Sequence, residues 1–269
     1  LVFPQWPQQG APHLLRWGVP ISLVGLLLKG GLHSGNLQAA LFSLVLCGSS
    51  LLLTQHPRSK RLLPRRSLQL GSVVGNTAYF GLPVALALLP PEALSFSITY
   101  DLVGTLLTWS LGPLLLNGER ARPWQLLRQL LSTPVVQALL VAVPLLLSPW
   151  QEPIAAALWW PARLVLWLML LLVGMRLGLL LGQRVEPTGL RPALLIKLLG
   201  LPAAALLVTQ ALGWAPLLRD ALVLQAAAPT AMSVLLLAEA SAQKSLESLQ
   251  AARLVLWSTL LSLISVPLW

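Results

Sequence analysis

Few residues in this chain are capable of chemistry, and the most unusual group of them interrupts an apolar run. Gly75-Asn76-Thr77-Ala78-Tyr79-Phe80-Gly81-Leu82-Pro83 lies in the middle of a hydrophobic stretch from about Leu68 to Leu89. In hydrocarbon every backbone N–H and C=O needs a partner inside the protein, so such a segment is tolerated only where it lines a cavity or packs against protein. Helices broken at the bilayer midplane are a recurring device of secondary transporters. The stretch therefore predicts a substrate site in a solute carrier.

Asn76 is the leading candidate for a substrate contact. Its amide can donate to a carboxylate, and the start of the half-helix after the break adds unpaired N–H groups and a partial positive charge. The alternative is that Asn76 only caps the half-helix that begins near Tyr79. Thr77 is expected to accompany Asn76, while Gly75 and Gly81 let the crossing backbones approach closely.

A second apolar run carries Gln225-Ala226-Ala227-Ala228-Pro229-Thr230-Ala231 at its centre. Proline lacks an N–H, so Pro83 and Pro229 are expected to break their helices, free carbonyl groups and shape the site. Gln225 and Thr230 are predicted to contact substrate at this second break. For Thr230 the alternative is a hydrogen bond to its own helix, which is common for hydroxyl side chains in membrane helices.

Asp101 is the acidic residue deepest within an apolar run. A charge at the bilayer centre costs roughly 2.5–3.5 kcal/mol on insertion scales, so such a residue faces the protein interior. Asp101 is then either a coupling site for a proton or cation, or a member of a hydrogen-bonded pair with a Thr, Tyr or Arg of another helix. Both interpretations stay open at this point.

Composition places the whole chain in the membrane. Of its 269 residues, 56% are hydrophobic and 10% are charged, and the mean hydropathy is +0.77; soluble domains contain about 25% charged residues. The net charge of +10 comes from basic residues that lie between the apolar runs, as cytoplasmic loop residues do. No soluble domain is left that could bind nucleic acid. Cys47 is the single cysteine and the three histidines are far apart. We therefore expect no metal site, no cofactor and no enzyme activity.

Nine segments are predicted to span the bilayer, since runs of about 17–25 apolar residues are typical of spanning helices. They are approximately Leu14–Leu32, Leu37–Leu53, Leu68–Leu89, Ala93–Leu116, Pro134–Leu147, Ile154–Leu181, Pro192–Leu212, Leu217–Ala240 and Leu249–Trp269. The loop before the third segment carries five basic residues and should be cytoplasmic. This topology puts the start of the chain inside the cell and Trp269 outside, in a bacterial plasma membrane.

The third and eighth segments are interrupted at matching positions, with Asn76-Thr77-Ala78 aligned to Pro229-Thr230-Ala231. This agreement favours an inverted repeat of five-helix units, as found in many carriers. The first repeat, residues 1–117, holds four helices, residues 118–133 form a cytoplasmic linker, and residues 134–269 hold five. One helix of an expected ten would then precede Leu1.

In its two interrupted segments the sequence resembles the auxin efflux carrier (AEC) family, in the bile/arsenite/riboflavin transporter-like superfamily. GNTAYFGLPVALALLPPEAL resembles the fourth-helix motif of that family. LQAAAPTAMSVLLLAEASAQ, followed by LWSTLLSLISVPLW, is similar to its ninth and tenth helices, and the likeness covers nearly all of the chain. One departure is Thr133-Pro134, where bacterial members often have Asn-Pro, so a substrate contact from that asparagine would be lost or altered.

The resemblance implies a scaffold domain and a transport domain whose two crossed helices hold the substrate and slide in an elevator-type movement. The expected substrate is a small organic anion, either auxin-like or another carboxylate. The other expected partner is the lipid bilayer. Transport could be coupled to protons, and the protein could assemble as a homodimer. One alternative is a sodium-coupled carrier of bile-acid-symporter architecture, although the chain has few carboxylates and amides near its breaks. The other is a membrane receptor or scaffold that transports nothing.

Overall fold

The computed structural model describes residues 17–31, 33–117, 124, 127–128, 131–181, 189–241 and 244–269. Within these residues the chain is helical, apart from turns and one isolated antiparallel bridge between Gly75 and Thr230. The predicted all-α class is confirmed. Most of the predicted linker, residues 118–133, lies outside the described residues.

The helices coincide with the predicted hydrophobic segments to within a few residues. The first part of the chain contains α1 (Val19–Gly30), α2 (Gly35–Thr54), a short α3 (Pro57–Leu62), α4 (Arg66–Gly71), the π-helix π1 (Thr77–Gly81), α5 (Leu82–Leu88) and α6 (Ala93–Asn117). The second part contains α7 (Pro134–Leu146), α8 (Gln151–Leu181), α9 (Arg191–Leu195), the π-helix π2 (Ile196–Gly200), α10 (Leu201–Ala211), α11 (Pro216–Ala227), α12 (Met232–Glu239) and α13 (Lys244–Ser265).

Several of these helices suit a bilayer. Four in the described part of the chain are long and apolar enough to cross it: Gly35–Thr54, Gln151–Met175, Arg191–Ala211 and Leu246–Leu268. Large hydrophobic side chains are exposed at helical spacing along α2 and α8, and they include Leu37, Leu41, Val45, Trp160, Leu164 and Trp167. Such continuous apolar surfaces are stable in lipid and not in water. The chain is an all-α membrane protein.

The helices pack in two groups. In the first helix group, α1 packs against α7 and α8. In the second helix group, α6 packs against α2 and α11, α10 packs against α11, and α13 packs against α4 and α12. The two groups also contact each other: π1 lies against both α6 and α8, and α1 packs against α6. The boundary between the groups therefore passes beside the Asn76 segment.

Both π1 and π2 end at the glycine of a Gly-Leu-Pro tripeptide, Gly81-Leu82-Pro83 in one case and Gly200-Leu201-Pro202 in the other. A proline ring clashes with the carbonyl four residues earlier in a regular α-helix. The wider π turn relieves that clash, and the Gly81 N–H accordingly reaches the Asn76 carbonyl at 3.0 Å. Helix is therefore continuous from Thr77 to Leu88, and the prediction that Pro83 breaks it is wrong. The chain leaves helix after Gly71 and resumes it at Thr77.

The start of α4 is held by a carboxylate from the far end of the chain. Glu247 of α13 accepts the backbone N–H of Arg66 at 3.3 Å and that of Ser67 at 2.8 Å. Glu247 is buried, and the Arg66 guanidinium donates to the Leu116 carbonyl at 3.1 Å. Helix starts carry unpaired N–H groups and a partial positive charge, so a carboxylate is well suited to this place. Glu247 thus anchors the helix that leads to the first break.

Replacing Glu247 by Ala should lower the free energy of unfolding by about 0.5–2 kcal/mol, the range for loss of a helix cap. Glu239→Ala is the matched control, because Glu239 is exposed. Thermal unfolding of the purified protein in detergent measures both. Equal midpoints for the two variants would contradict the anchoring role of Glu247.

Candidate functional site at the helix crossing

The two interrupted helices meet at their interruptions. The Asn76 N–H donates to the Pro229 carbonyl at 2.6 Å, and the Ala231 N–H donates to the Val74 carbonyl at 3.1 Å. These reciprocal bonds form the antiparallel bridge between Gly75 and Thr230. Buried backbone groups that lose their helical partners must find others. Here each break supplies the partners that the other lacks, and we call this junction the helix crossing.

Thr230 ties the crossing to two further helices. Its backbone N–H donates to the Ser258 hydroxyl of α13 at 3.0 Å, and its own hydroxyl donates to the Gly71 carbonyl at the end of α4 at 2.8 Å. Thr230 is fully buried. The hydroxyl bonds to a different helix rather than to its own, and the side chain acts as a structural link at this place.

A cavity of about 480 Å³ opens beside the crossing. It lies between the two helix groups: π1, α6 and α12 form one wall, and residues of α1 and α8 face them. Its polar lining includes Asn76, Thr77, Asp101, Thr105, Thr108, Ser132, Thr133 and Ser233, together with the polar-tipped rings of Tyr79 and Trp109. None of the described residues that line it is a lysine, an arginine or a histidine. The volume is within the range of small-molecule sites.

Asn76 lines this cavity and is only 4% exposed. Its side chain makes no capping hydrogen bond to the helix that follows, so the interpretation of Asn76 as a simple cap is wrong. Its backbone carbonyl accepts the N–H groups of Phe80 and Gly81 instead. The amide is therefore available to the cavity.

Asp101 of α6 is bound to the start of π1. The Thr77 hydroxyl and the Ala78 backbone N–H both donate to its carboxylate. A hydrogen-bonded pair with a threonine, one of the two interpretations of Asp101, is thus present. A carboxylate at a helix start is also favoured by the partial positive charge there. Asp101 lines the cavity while it holds Thr77 in place.

The structure brings some of the predicted site residues together and separates others from the cavity. Gly75, Asn76, Thr77 and Asp101 line it. The other four predicted residues, Pro83, Gln225, Pro229 and Thr230, are not among its lining residues. Gln225 is fully buried, and its amide lies directly against the backbone of Gly81. Pro229 and Thr230 belong to the crossing itself, Gln225 lies against π1, and Pro83 lies in the first turn of α5.

Sequence reasoning missed Lys197, which lies in π2 and is fully buried. Its ammonium group donates to the Ala226 carbonyl at 2.9 Å, near the end of α11. A Cβ atom on Gly75 would lie 3.1 Å from Nζ, so the glycine makes room for the ammonium group. The only signal in the sequence is one lysine within the apolar run Pro192–Leu212. Such a residue inside a span is a functional candidate by default, and counting loop charges overlooks it.

Compared with known protein families and with curated proteins, the sequence matches none of them. The geometry of the crossing and its cavity is therefore the basis for a functional conclusion.

The close approach of Gly81 to Gln225 predicts a specific incompatibility. In Gly81→Ala the new Cβ would overlap Oε1 of Gln225 and lie 3.0 Å from its Cδ. Because Gln225 is fully buried, it has no solvent to retreat into, and overpacking of this kind costs about 1–3 kcal/mol. Thermal unfolding in detergent should show the loss.

Gly48→Ala is the control for Gly81→Ala, since nothing lies within 4 Å of a Cβ at Gly48. Shortening the neighbour in Gly81→Ala/Gln225→Ala should restore most of the stability lost, giving a favourable coupling energy between the two sites. If Gly81→Ala is no more destabilising than Gly48→Ala, the contact is not as close as described.

Proposed function

We propose that this chain is a secondary carrier for a small organic anion, of the AEC type, and that its substrate binds at the helix crossing. The observation that carries the proposal is the cavity of about 480 Å³ at the point where two interrupted helices satisfy each other's backbone groups. Non-helical backbone at membrane depth is stable only where it is packed in protein or lines such a cavity. Carriers place their substrates at discontinuous helices of this kind.

Backbone groups at the cavity favour an anion, although the one charged side chain among its described lining residues, that of Asp101, is itself acidic. Two helix starts reach it, π1 at Thr77 and α12 at Met232, and each carries unpaired N–H groups with a partial positive charge. The first already holds a carboxylate, that of Asp101. The second, beside Ser233, offers similar groups to a carboxylate of the substrate, and the Asn76 amide adds a donor from the same wall.

The packing suits an elevator-type movement. The crossing belongs to the second helix group, and the cavity opens toward α1 and α8 of the first. In the proposed mechanism the first group is the scaffold and the second moves with the substrate. The inverted repeat of residues 1–117 and 134–269 is part of this proposal. So is the orientation in a bacterial plasma membrane, with the start of the chain inside and Trp269 outside.

The energy for transport would come from solute or ion gradients or from the membrane potential. Moving one elementary charge through 100 mV is worth about 2.3 kcal/mol, enough to drive an anion outward without a coupled ion. Asp101 is the candidate for ion coupling, because it lies in the cavity and contacts the substrate-binding segment through Thr77.

Uptake into proteoliposomes tests the substrate class directly. We expect accumulation of labelled carboxylates from a panel of auxin, malate and malonate, and none of the uncharged amide of the same acid, since the helix starts favour negative charge. Liposomes without protein give the background. Equal uptake of an acid and its amide would contradict an anion site.

Asn76→Ala should reduce carboxylate uptake about tenfold or more, because a hydrogen bond to a charged group is worth about 1.5–3 kcal/mol. Gln137→Ala is the matched control: it also removes an amide, from an exposed position on α7 that does not line the cavity. Thermal unfolding of both variants checks that the fold is intact. Unchanged uptake in a folded Asn76→Ala protein would show that the substrate binds elsewhere.

A further inference from the structure

Lys197 carries a buried charge that the fold alone does not explain. Its side chain is fully buried, and no carboxylate of the described residues forms an ion pair with it. Burying a charge without a counter-charge is strongly unfavourable, and ionisable residues inside a span mark functional places by default. Lys197 also lies in a π-helix, π2, and such turns are frequent at functional sites. These observations call for a role in function.

The ammonium group compensates a negative helix end at the crossing. The ends of α4 and α11 carry partial negative charge there, while the starts of π1 and α12 carry partial positive charge. Lys197 donates to the Ala226 carbonyl at the end of α11 at 2.9 Å, and the Thr230 hydroxyl donates to the Gly71 carbonyl at the end of α4 at 2.8 Å. Both negative ends are thus bound by donors of the protein, and the two positive ends remain to act on the cavity.

The ammonium group also lies close to the cavity. Gly75 lines the cavity, and a Cβ atom on Gly75 would lie 3.1 Å from Nζ and 3.4 Å from Cε of Lys197. Lys197 itself is not a lining residue, so a bound substrate would not touch it. In a protein interior the attraction between two charges stays substantial over several ångströms, because the effective dielectric constant is far below that of water. The charge of Lys197 therefore reaches a carboxylate beside Asn76 without contact.

Lys197 and Asp101 balance each other across one short segment. Asp101 accepts from the Thr77 hydroxyl, and Lys197 lies against Gly75, so the two charges flank Gly75-Asn76-Thr77. Asp101 alone would make the crossing negative and would repel an anion from the cavity that it lines. With Lys197 the two side-chain charges sum to zero, and an entering anion meets a neutral crossing with positive helix starts.

We propose that Lys197 is the specificity-determining residue that makes this cavity select anions. The inference rests on the proposed carrier function and names the residue that gives it its charge preference. Lys197 neutralises the end of α11, balances Asp101 and attracts the substrate carboxylate through the backbone of Gly75. Because the Ala226 carbonyl fixes the ammonium group before substrate arrives, the attraction requires no rearrangement on binding.

Lys197→Met tests the proposal, since it removes the charge and keeps an unbranched side chain. We measure uptake into proteoliposomes of whichever labelled acids, among auxin, malate and malonate, the wild type accumulates. Their KM should rise about tenfold or more, the scale of losing a charge interaction over several ångströms at an effective dielectric constant of about 20. The midpoint of thermal unfolding should stay close to that of the wild type, because the burial cost of the charge disappears together with its hydrogen bond.

Lys29→Met is the matched control. It makes the same change at an exposed position on α1 that does not line the cavity, and it should keep the wild-type KM.

Asp101→Asn/Lys197→Met tests the charge balance separately from packing. The amide oxygen of an asparagine can still accept from Thr77 and Ala78, while the negative charge is removed. The KM of the double variant should return to within about threefold of the wild type, which is a favourable coupling between the two sites. A merely structural role of Lys197 would instead make the losses of Asp101→Asn and Lys197→Met add.

An unchanged KM in a folded Lys197→Met protein overturns the proposal, as do additive losses in the double variant. If Lys197→Met does not fold, Lys197→Gln takes its place, because it keeps a hydrogen-bond donor without the charge. Failure of both variants to fold assigns Lys197 a structural role and likewise overturns the proposal. None of these results affects the carrier function, which the wild type tests: a wild type that accumulates none of the acids contradicts the carrier proposal and this inference with it.

Discussion

The structure depends on one constraint: two breaks in buried helices release backbone groups that water cannot reach. The bonds from Asn76 to Pro229 and from Ala231 to Val74 satisfy those groups reciprocally. Neither break is stable alone, because an unpaired backbone group in an apolar interior is costly. The rest of the second helix group keeps the breaks in register, through Thr230 and through the Glu247 anchor on α4.

Two fixed charges complement this crossing. Lys197 donates to a carbonyl near the end of α11, where helix dipoles are negative, and Asp101 accepts from the start of π1, where they are positive. Both side chains are buried, and each is placed where the partial charge of a helix end is opposite to its own. The crossing thus combines paired backbone groups with compensated helix ends, and the cavity opens on the side of Asp101.

Hydropathy predicted the positions of the helices well, because a helix that crosses lipid must be apolar along its whole length. The unusual residues at 75–81 and 225–231 also indicated where irregular backbone would occur. Local reasoning was wrong at Pro83, since a π turn absorbs the proline and leaves the helix continuous. Glycine and asparagine before Thr77, together with the pairing offered by the second break, locate the interruption instead.

The sequence by itself determined the apolar segments, the two polar interruptions, and the candidacy of Asn76 and Asp101, because each of these is a property of neighbouring residues. Only the tertiary structure decided which distant groups meet. It placed Lys197 against Gly75 and the Gln225 amide against Gly81. Those encounters follow from how helices pack and cross, and the spacing of residues along one segment carries no information about them.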